Sequence, residues 1–156
     1  MIDKRKVTRD SLPLRWYRGA NVPMRVIRKF TRDVVEHFHP EKVILFGSHA
    51  YGTPHADSDV DILVIMPCPN QLDQAFKIHW TLQPPFPLDI IVRTPHNLRW
   101  RLEEGESFHT EIVSKGKVLY DNASKRQATS ALRWAGRVRD ACRRLLGLGP
   151  PRRRRM

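Results

Sequence analysis

The sequence has 156 residues, 28 of them Lys or Arg and 16 Asp or Glu, for a formal net charge of +12. That length fits one domain with a real core, no apolar run approaches the length of a membrane span, and no signal-peptide layout opens the chain. Cys68 and Cys142 are the only cysteines and lack CxxC spacing, which excludes a zinc ribbon or a disulfide framework and points to thiols in a reducing, cytoplasmic setting.

The charge is unevenly placed. Residues 1–29 hold nine basic and two acidic side chains, residues 30–124 eight and thirteen, and residues 125–156 eleven and one. The body is therefore acidic and the ends basic, so any nucleic-acid binding belongs to the ends and is expected to be non-specific.

Residues 1–22 show no clean period and carry Lys4-Arg5-Lys6 and Arg9, which reads as a basic arm. Ile27, Phe30, Val34 and Phe38 recur at helical spacing and predict a core-packing helix over 23–38, with Pro23 in its first turn. Val43 to Phe46 reads as a short buried strand closed by Gly47-Ser48. A short helix then starts over Ser48 to Tyr51 with Ser48 near its N-cap. Free backbone N–H groups and a hydroxyl at such a strand end suit a phosphate. A second strand, Ile62 to Ile65, has Asp59 and Asp61 at its mouth, two residues apart and so pointing the same way.

Pro67-Cys68-Pro69-Asn70 breaks the chain, and Asn70 caps a helix running to about Leu82, with Leu72, Ala75, Phe76 and His79 expected as its inward stripe. Pro84, Pro85 and Pro87 stop that helix and lead into a third apolar run, Pro87 to Val92, which contains Asp89. Thr94-Pro95 starts a helix whose face is Leu98, Leu102, Phe108 and Ile112, with Gly105 bending or breaking it. Lys117 to Tyr120 reads as a final edge strand. Beyond it, Ala128, Leu132, Ala135, Val138, Cys142 and Leu145 keep helical spacing until Gly147, Gly149, Pro150 and Pro151, and Arg152 to Arg155 form a charge run. The organisation is thus a basic arm (1–22), a main domain (23–121), an amphipathic C-terminal helix (122–149) and a basic tail (150–156).

Two carboxylates about 6 Å apart repel by roughly 3 kcal/mol at an effective dielectric near 20. Asp-Ser-Asp is also good turn chemistry, and a solvated turn would account for an isolated pair. It does not account for a Gly-Ser strand end upstream and a third carboxylate, Asp89, in another buried strand. Three acidic groups at strand ends beside a phosphate-binding turn point to two-metal phosphoryl transfer, in which divalent cations relieve the repulsion. The histidines show no metal-ligand spacing beyond His37-Phe38-His39 at a helix end. A P-loop GxxxxGK[ST] is lacking, so a Walker-type NTPase is not expected.

Gly47-Ser48, ten residues (His49 to Ser58), then Asp59-Val60-Asp61 matches the GS-x10-DxD signature, and the chain resembles the DNA polymerase β-like nucleotidyltransferase superfamily. The runs HPEKVILFGS and SDVDILVI look most like its minimal nucleotidyltransferase (MNT) branch, and the resemblance covers Val26 to Asp121. It implies an α/β (α+β) polymerase β-like fold, a short mixed sheet with helices mainly on one face. It implies transfer of AMP from ATP to a hydroxyl, with pyrophosphate leaving. Asp59 and Asp61 would ligate Mg²⁺, Asp89 would complete a second metal position and help activate the acceptor, and Gly47 and Ser48 would hold the triphosphate. The implied partner is a HEPN-type toxin, this chain being the antitoxin; Ala131 to Ala135 itself resembles the first helix of a HEPN domain. The competing readings are an enzyme acting on a small hydroxylated molecule such as an aminoglycoside, and a non-catalytic antitoxin that acts by binding.

Overall fold

Four short strands make one mixed sheet: β1 (Lys42–Phe46), β2 (Val60–Ile65), β3 (Leu88–Arg93) and β4 (Lys117–Asp121). The computed structural model describes residues 16–124, so the first part of the expected basic arm, all but the first three residues of the expected C-terminal helix, and the arginine run lie outside the described residues. The strand order is β3-β2-β1-β4, with β1 antiparallel to both of its neighbours and β2 parallel to β3. β4 lies at an edge, as its short, half-apolar sequence foretells.

The two central strands bury both faces, which is why they read as continuous apolar runs. Val43, Leu45, Val60, Ile62 and Val64 face one cluster, while Ile44, Phe46, Leu63 and Ile65 face a smaller one. Helices α1 (Met24–Phe38) and α3 (Gln71–Leu82) cover the larger cluster, through Ile27, Phe30 and Val34 and through Ala75 and Ile78. Helix α2 (Gly47–Tyr51) follows β1 directly. Helices α4 (Pro95–Glu103) and α5 (Ser107–Lys115) give Leu98 and Ile112 to the second cluster, so the mixed α/β fold has apolar cover on both faces of its sheet.

Local chemistry sets the helix ends. Asn70 Oδ1 accepts from the N–H groups of Leu72 and Asp73, at 3.0 and 3.2 Å, and Thr94 Oγ1 accepts from Asn97 N–H at 3.2 Å with Pro95 opening α4. Pro23 stands just before α1, as its cap residue. Gly105, at φ 73°, separates α4 from α5 and completes the expected break.

One face differs from expectation. In α3 the buried residues are Ala75 and Ile78, whereas Leu72 and Phe76 are 66% and 58% exposed. At 3.6 residues per turn this is a rotation of about 80° from the stripe read in the sequence. The cause is Ile78, whose branched side chain is fully enclosed by the larger cluster and draws that side of the helix down.

The stretch before α1 touches the body at two points. Tyr17 N–H donates to the Pro85 carbonyl and Ala20 N–H to the His55 carbonyl, each at 2.8 Å, and Val22 is buried. Gly19, at φ 49°, lies so close to the Ala56 carbonyl that a Cβ would overlap it. Among the described residues no helix is long and apolar enough to cross a membrane.

Candidate active site

The site begins where β1 turns into α2. Phe46, the last residue of β1, pairs with Asp61 of β2, and the chain then turns at Gly47 with φ 67°. That left-handed conformation favours glycine. Space demands it as well, because a Cβ on Gly47 would overlap Oδ2 of Asp61. The glycine therefore lets backbone and carboxylate meet. Helix α2 starts at Gly47, with Phe46 as cap residue and no side-chain cap. Ser48 is thus the second helical residue and not the N-cap, because the strand runs into the helix with no intervening residue. Its carbonyl accepts the N–H groups of Gly52 and Thr53, which closes the short helix and leaves its half-buried side chain on the first turn.

Asp59 is exposed and precedes β2, Asp61 is its second residue and half-buried, and Asp89 is the exposed second residue of β3. In the parallel ladder Asp61 and Asp89 are register partners. Adjacent strands lie about 4.8 Å apart, and paired residues turn their side chains to the same face. Burial pushes the Asp61 carboxyl up to about 6, with the negative charges of Asp89 and then Asp59 adding to it. The structure thus brings the three carboxylates and Gly47 together. Ser48 follows on the same turn.

This donor set is all oxygen and carries excess negative charge. Among the described residues no group of three or more acidic, histidine or cysteine side chains is placed to hold a metal ion by itself. A hard cation that takes one or two carboxylates and fills its remaining positions from water and substrate phosphates fits such a set; Mg²⁺ binds in that manner.

Two buried histidines were not foreseen, since no spacing marks them. His49 of α2 is buried and bonded to the Ser58 backbone, and desolvation lowers its pKa, so it holds α2 to the segment leading into Asp59. His109 of α5 is enclosed beside Arg93, whose Nε donates to His109 Nε2 at 3.1 Å. Its Nδ1 lies 3.0 Å from Glu106 Oε2 without an aligned hydrogen bond, and Glu106 in turn accepts from Arg101 at 2.8 Å. Burial lowers the His109 pKa against the pull of Glu106.

A sheet with two strand-borne carboxylates beside a glycine turn defines a class of phosphoryl-transfer domains, and comparison places the chain in it. The family model of the nucleotidyltransferase domain matches residues 27–119, and the chain belongs to that family. No curated protein matches the chain significantly. Among solved structures, a Sulfolobus solfataricus protein assigned as a nucleotidyltransferase is 17% identical, with 63% of this chain and 79% of that one covered and a TM-score of 0.42. A toxin–antitoxin structure with AMP-PNP is 22% identical over 78% of this chain and 93% of that one, with a TM-score of 0.40. A mutant MntA–HpeT toxin–antitoxin structure is 20% identical over 80% and 94%, with a TM-score of 0.43.

Proposed function

We propose that this nucleotidyltransferase moves AMP from ATP onto a hydroxyl of a partner protein, and that it serves as the antitoxin of a HEPN/MNT pair. The observation that carries the reading is the meeting of Gly47 at the start of α2, Asp61 on β2 and Asp89 on β3, with Asp61 pushed up to about 6 by burial and by its neighbours. The MNT branch rests on the residues His39 to Ser48 and Ser58 to Ile65, which carry that family's signature.

Asp59 and Asp61 would hold one Mg²⁺ and Asp89 would complete a second position. Such cations would supply positive charge to offset the triphosphate and the leaving pyrophosphate. The remaining roles belong to the chain itself. Gly47 lets the turn lie directly against the Asp61 carboxylate, where a Cβ would overlap Oδ2, so that backbone and carboxylate can face the triphosphate together. Ser48 offers a hydroxyl and the first-turn N–H to phosphate oxygens. Asp89, exposed at the start of an edge strand, takes the proton of the acceptor hydroxyl as its oxygen attacks the α-phosphorus in line with the departing pyrophosphate. One P–O bond forms and one breaks, and the products are an AMP ester and pyrophosphate.

The test is incubation with Mg²⁺, α-labelled ATP and a co-encoded neighbouring protein, followed by mass mapping. The expected result is an added AMP on one hydroxyl of the neighbour. Label appearing only on an added aminoglycoside would move the acceptor to small molecules, and no label on either would overturn the enzymatic reading.

A further inference from the structure

The outer face of α3 is apolar where an isolated domain gains nothing from it. Leu72, Phe76 and Trp80 follow one another at four-residue spacing and are 66%, 58% and 71% exposed. Beside them runs β3, which has β2 as its one partner among the described residues. Pro87 and Arg93 give their carbonyls to Val60 and Met66, at 2.9 and 3.1 Å. In a regular parallel ladder of this register, Leu88, Ile90 and Val92 therefore turn their N–H and C=O groups outward, away from β2. The strand edge forms the floor of two adjoining hollows. One, of about 410 Å³, is lined by Phe76, Trp80 and Asp89; the other, of about 520 Å³, is lined by Asn70, Arg93 and Arg101, and both share Leu72 and Ile90.

The result is a groove with distinct ends. Asp89, the residue assigned to the acceptor proton, stands at one end. Arg93 and Arg101 stand at the other, where Glu106 offsets only one of their two positive charges. Asp89 and Arg93 are four residues apart on one strand, so they project from the same face about 13 Å from each other.

We infer that this groove is the docking surface for the acceptor: an extended polypeptide segment that adds to the β3 edge, lays apolar side chains on Leu72, Phe76 and Trp80, and sets a hydroxyl at Asp89 and a carboxylate at Arg93 and Arg101. The inference rests on the protein-acceptor reading above and specifies how such an acceptor is held. Backbone pairing along an exposed sheet edge is a recurrent mode of peptide recognition, in which main-chain bonds give affinity and alternate side chains give specificity. Only a polypeptide can use all three features at once, because a small hydroxylated ligand has no row of amides to match the strand. An edge with no further strand partner among the described residues, beside an apolar helix, is also a liability that a partner would remove.

The probes are short extended peptides with one tyrosine and one glutamate four residues apart, in both orders. Controls carry lysine for the glutamate, or N-methyl groups on the amides that would face β3. Labelled peptides are titrated against the full chain by fluorescence anisotropy. In parallel, ATP binding is followed by calorimetry and oligomeric state by sedimentation. Binding in one order, weakened about tenfold or more by Phe76→Glu, by N-methylation and by the lysine exchange, with ATP binding unchanged, is the expected result. Failure of every peptide to bind below ~1 mM, or binding indifferent to Phe76→Glu and N-methylation, overturns the groove. So does dimerisation that Phe76→Glu abolishes, since a second copy would then be the occupant. The two readings fail separately. Peptide that docks as described but receives no AMP defeats the protein-acceptor function while the groove stands. Transfer to a protein acceptor that is untouched by Phe76→Glu and Trp80→Ala defeats the groove while the function stands.

Discussion

Single residues decide the chemistry here, and Asp61 is the most constrained of them. Its carboxyl is raised to about 6 by burial, with Asp89 and Asp59 contributing. A carboxyl raised on folding stabilises the folded state relative to an ordinary one only below the unfolded pKa, and that contribution is lost as pH climbs through about 6. Metal-free protein should therefore lose stability from this site between pH 4 and 7. His49 and His109, lowered by burial, act in the opposite sense, so their contribution is present above the usual histidine range and lost on acidification. The difference between native protein and Asp61→Asn isolates the aspartate. In EDTA at pH 7 the variant should melt higher by the equivalent of about 1 kcal/mol, a value discounted for the solvent reaching a half-buried group. The gap should close by pH 4, while Asp61→Asn and Asp59→Asn both abolish transfer at every pH; near-native transfer by either would refute the metal assignment. Gly47→Ala should also abolish transfer, since its Cβ would displace the Asp61 carboxylate and its φ of 67° costs about 1–2 kcal/mol for an L residue. Gly52→Ala is the control: it has a similar φ of 79° but open space around the new methyl. It should lose comparable stability in urea titrations and keep transfer, so equal loss of activity in both variants would mean that backbone strain alone explains the first.

Elements show how far sequence logic reaches. The β1 and β2 strands were legible because both of their faces are buried and apolar runs bounded by turns have few other uses. The starts of α3 and α4 were legible because Asn70 and Thr94 cap through bonds made within three residues. Asp89 could be grouped with Asp59 and Asp61 from its place in a third apolar run, but its register opposite Asp61 was not legible, since a parallel pairing between strands more than twenty residues apart leaves no local mark. The inner face of α3 was misread for a related reason. Leu72, Ala75, Phe76 and His79 form one helical stripe and Ala75 with Ile78 another, and the sheet below chooses between them. Ile78→Ala should therefore cost about 3 kcal/mol, as expected of a large core residue reduced to a methyl. Phe76→Ala should stay within about 0.5 kcal/mol, as exposed positions do. Urea unfolding of the two variants reads the choice directly, and a larger loss for Phe76→Ala would return the helix to the face read from sequence. The buried histidines were beyond sequence reasoning altogether. One is kept by a backbone bond from a distant turn and the other by an arginine sixteen residues away.

For the molecule as a whole, acting once and acting many times make different demands. A protein that neutralises a toxin by covering it must be present in equal amount and must stay bound. An enzyme need do neither. The carboxylate cluster favours the second case, because a surface that merely binds has no use for three like charges held at neighbouring strand ends, one of them pushed up to about 6. If AMP is placed on a hydroxyl near a ribonuclease's active site, it adds a negative phosphodiester and considerable bulk where an RNA phosphate must enter. One modification would then oppose substrate by charge and by volume together. The edge groove fits this economy, since a segment held along β3 can leave once its hydroxyl is esterified and the added charge meets Asp89. Titration separates the cases. With Mg²⁺ and ATP, about one molecule of this protein to ten of toxin should extinguish toxin activity, at turnovers typical of such transfers. The inhibition should persist after this protein is removed, and it should vanish without ATP or in Asp59→Asn. Inhibition that needs equal amounts, ignores ATP, survives Asp59→Asn and reverses on separation would mean that the cluster is a relic and the chain acts by binding alone.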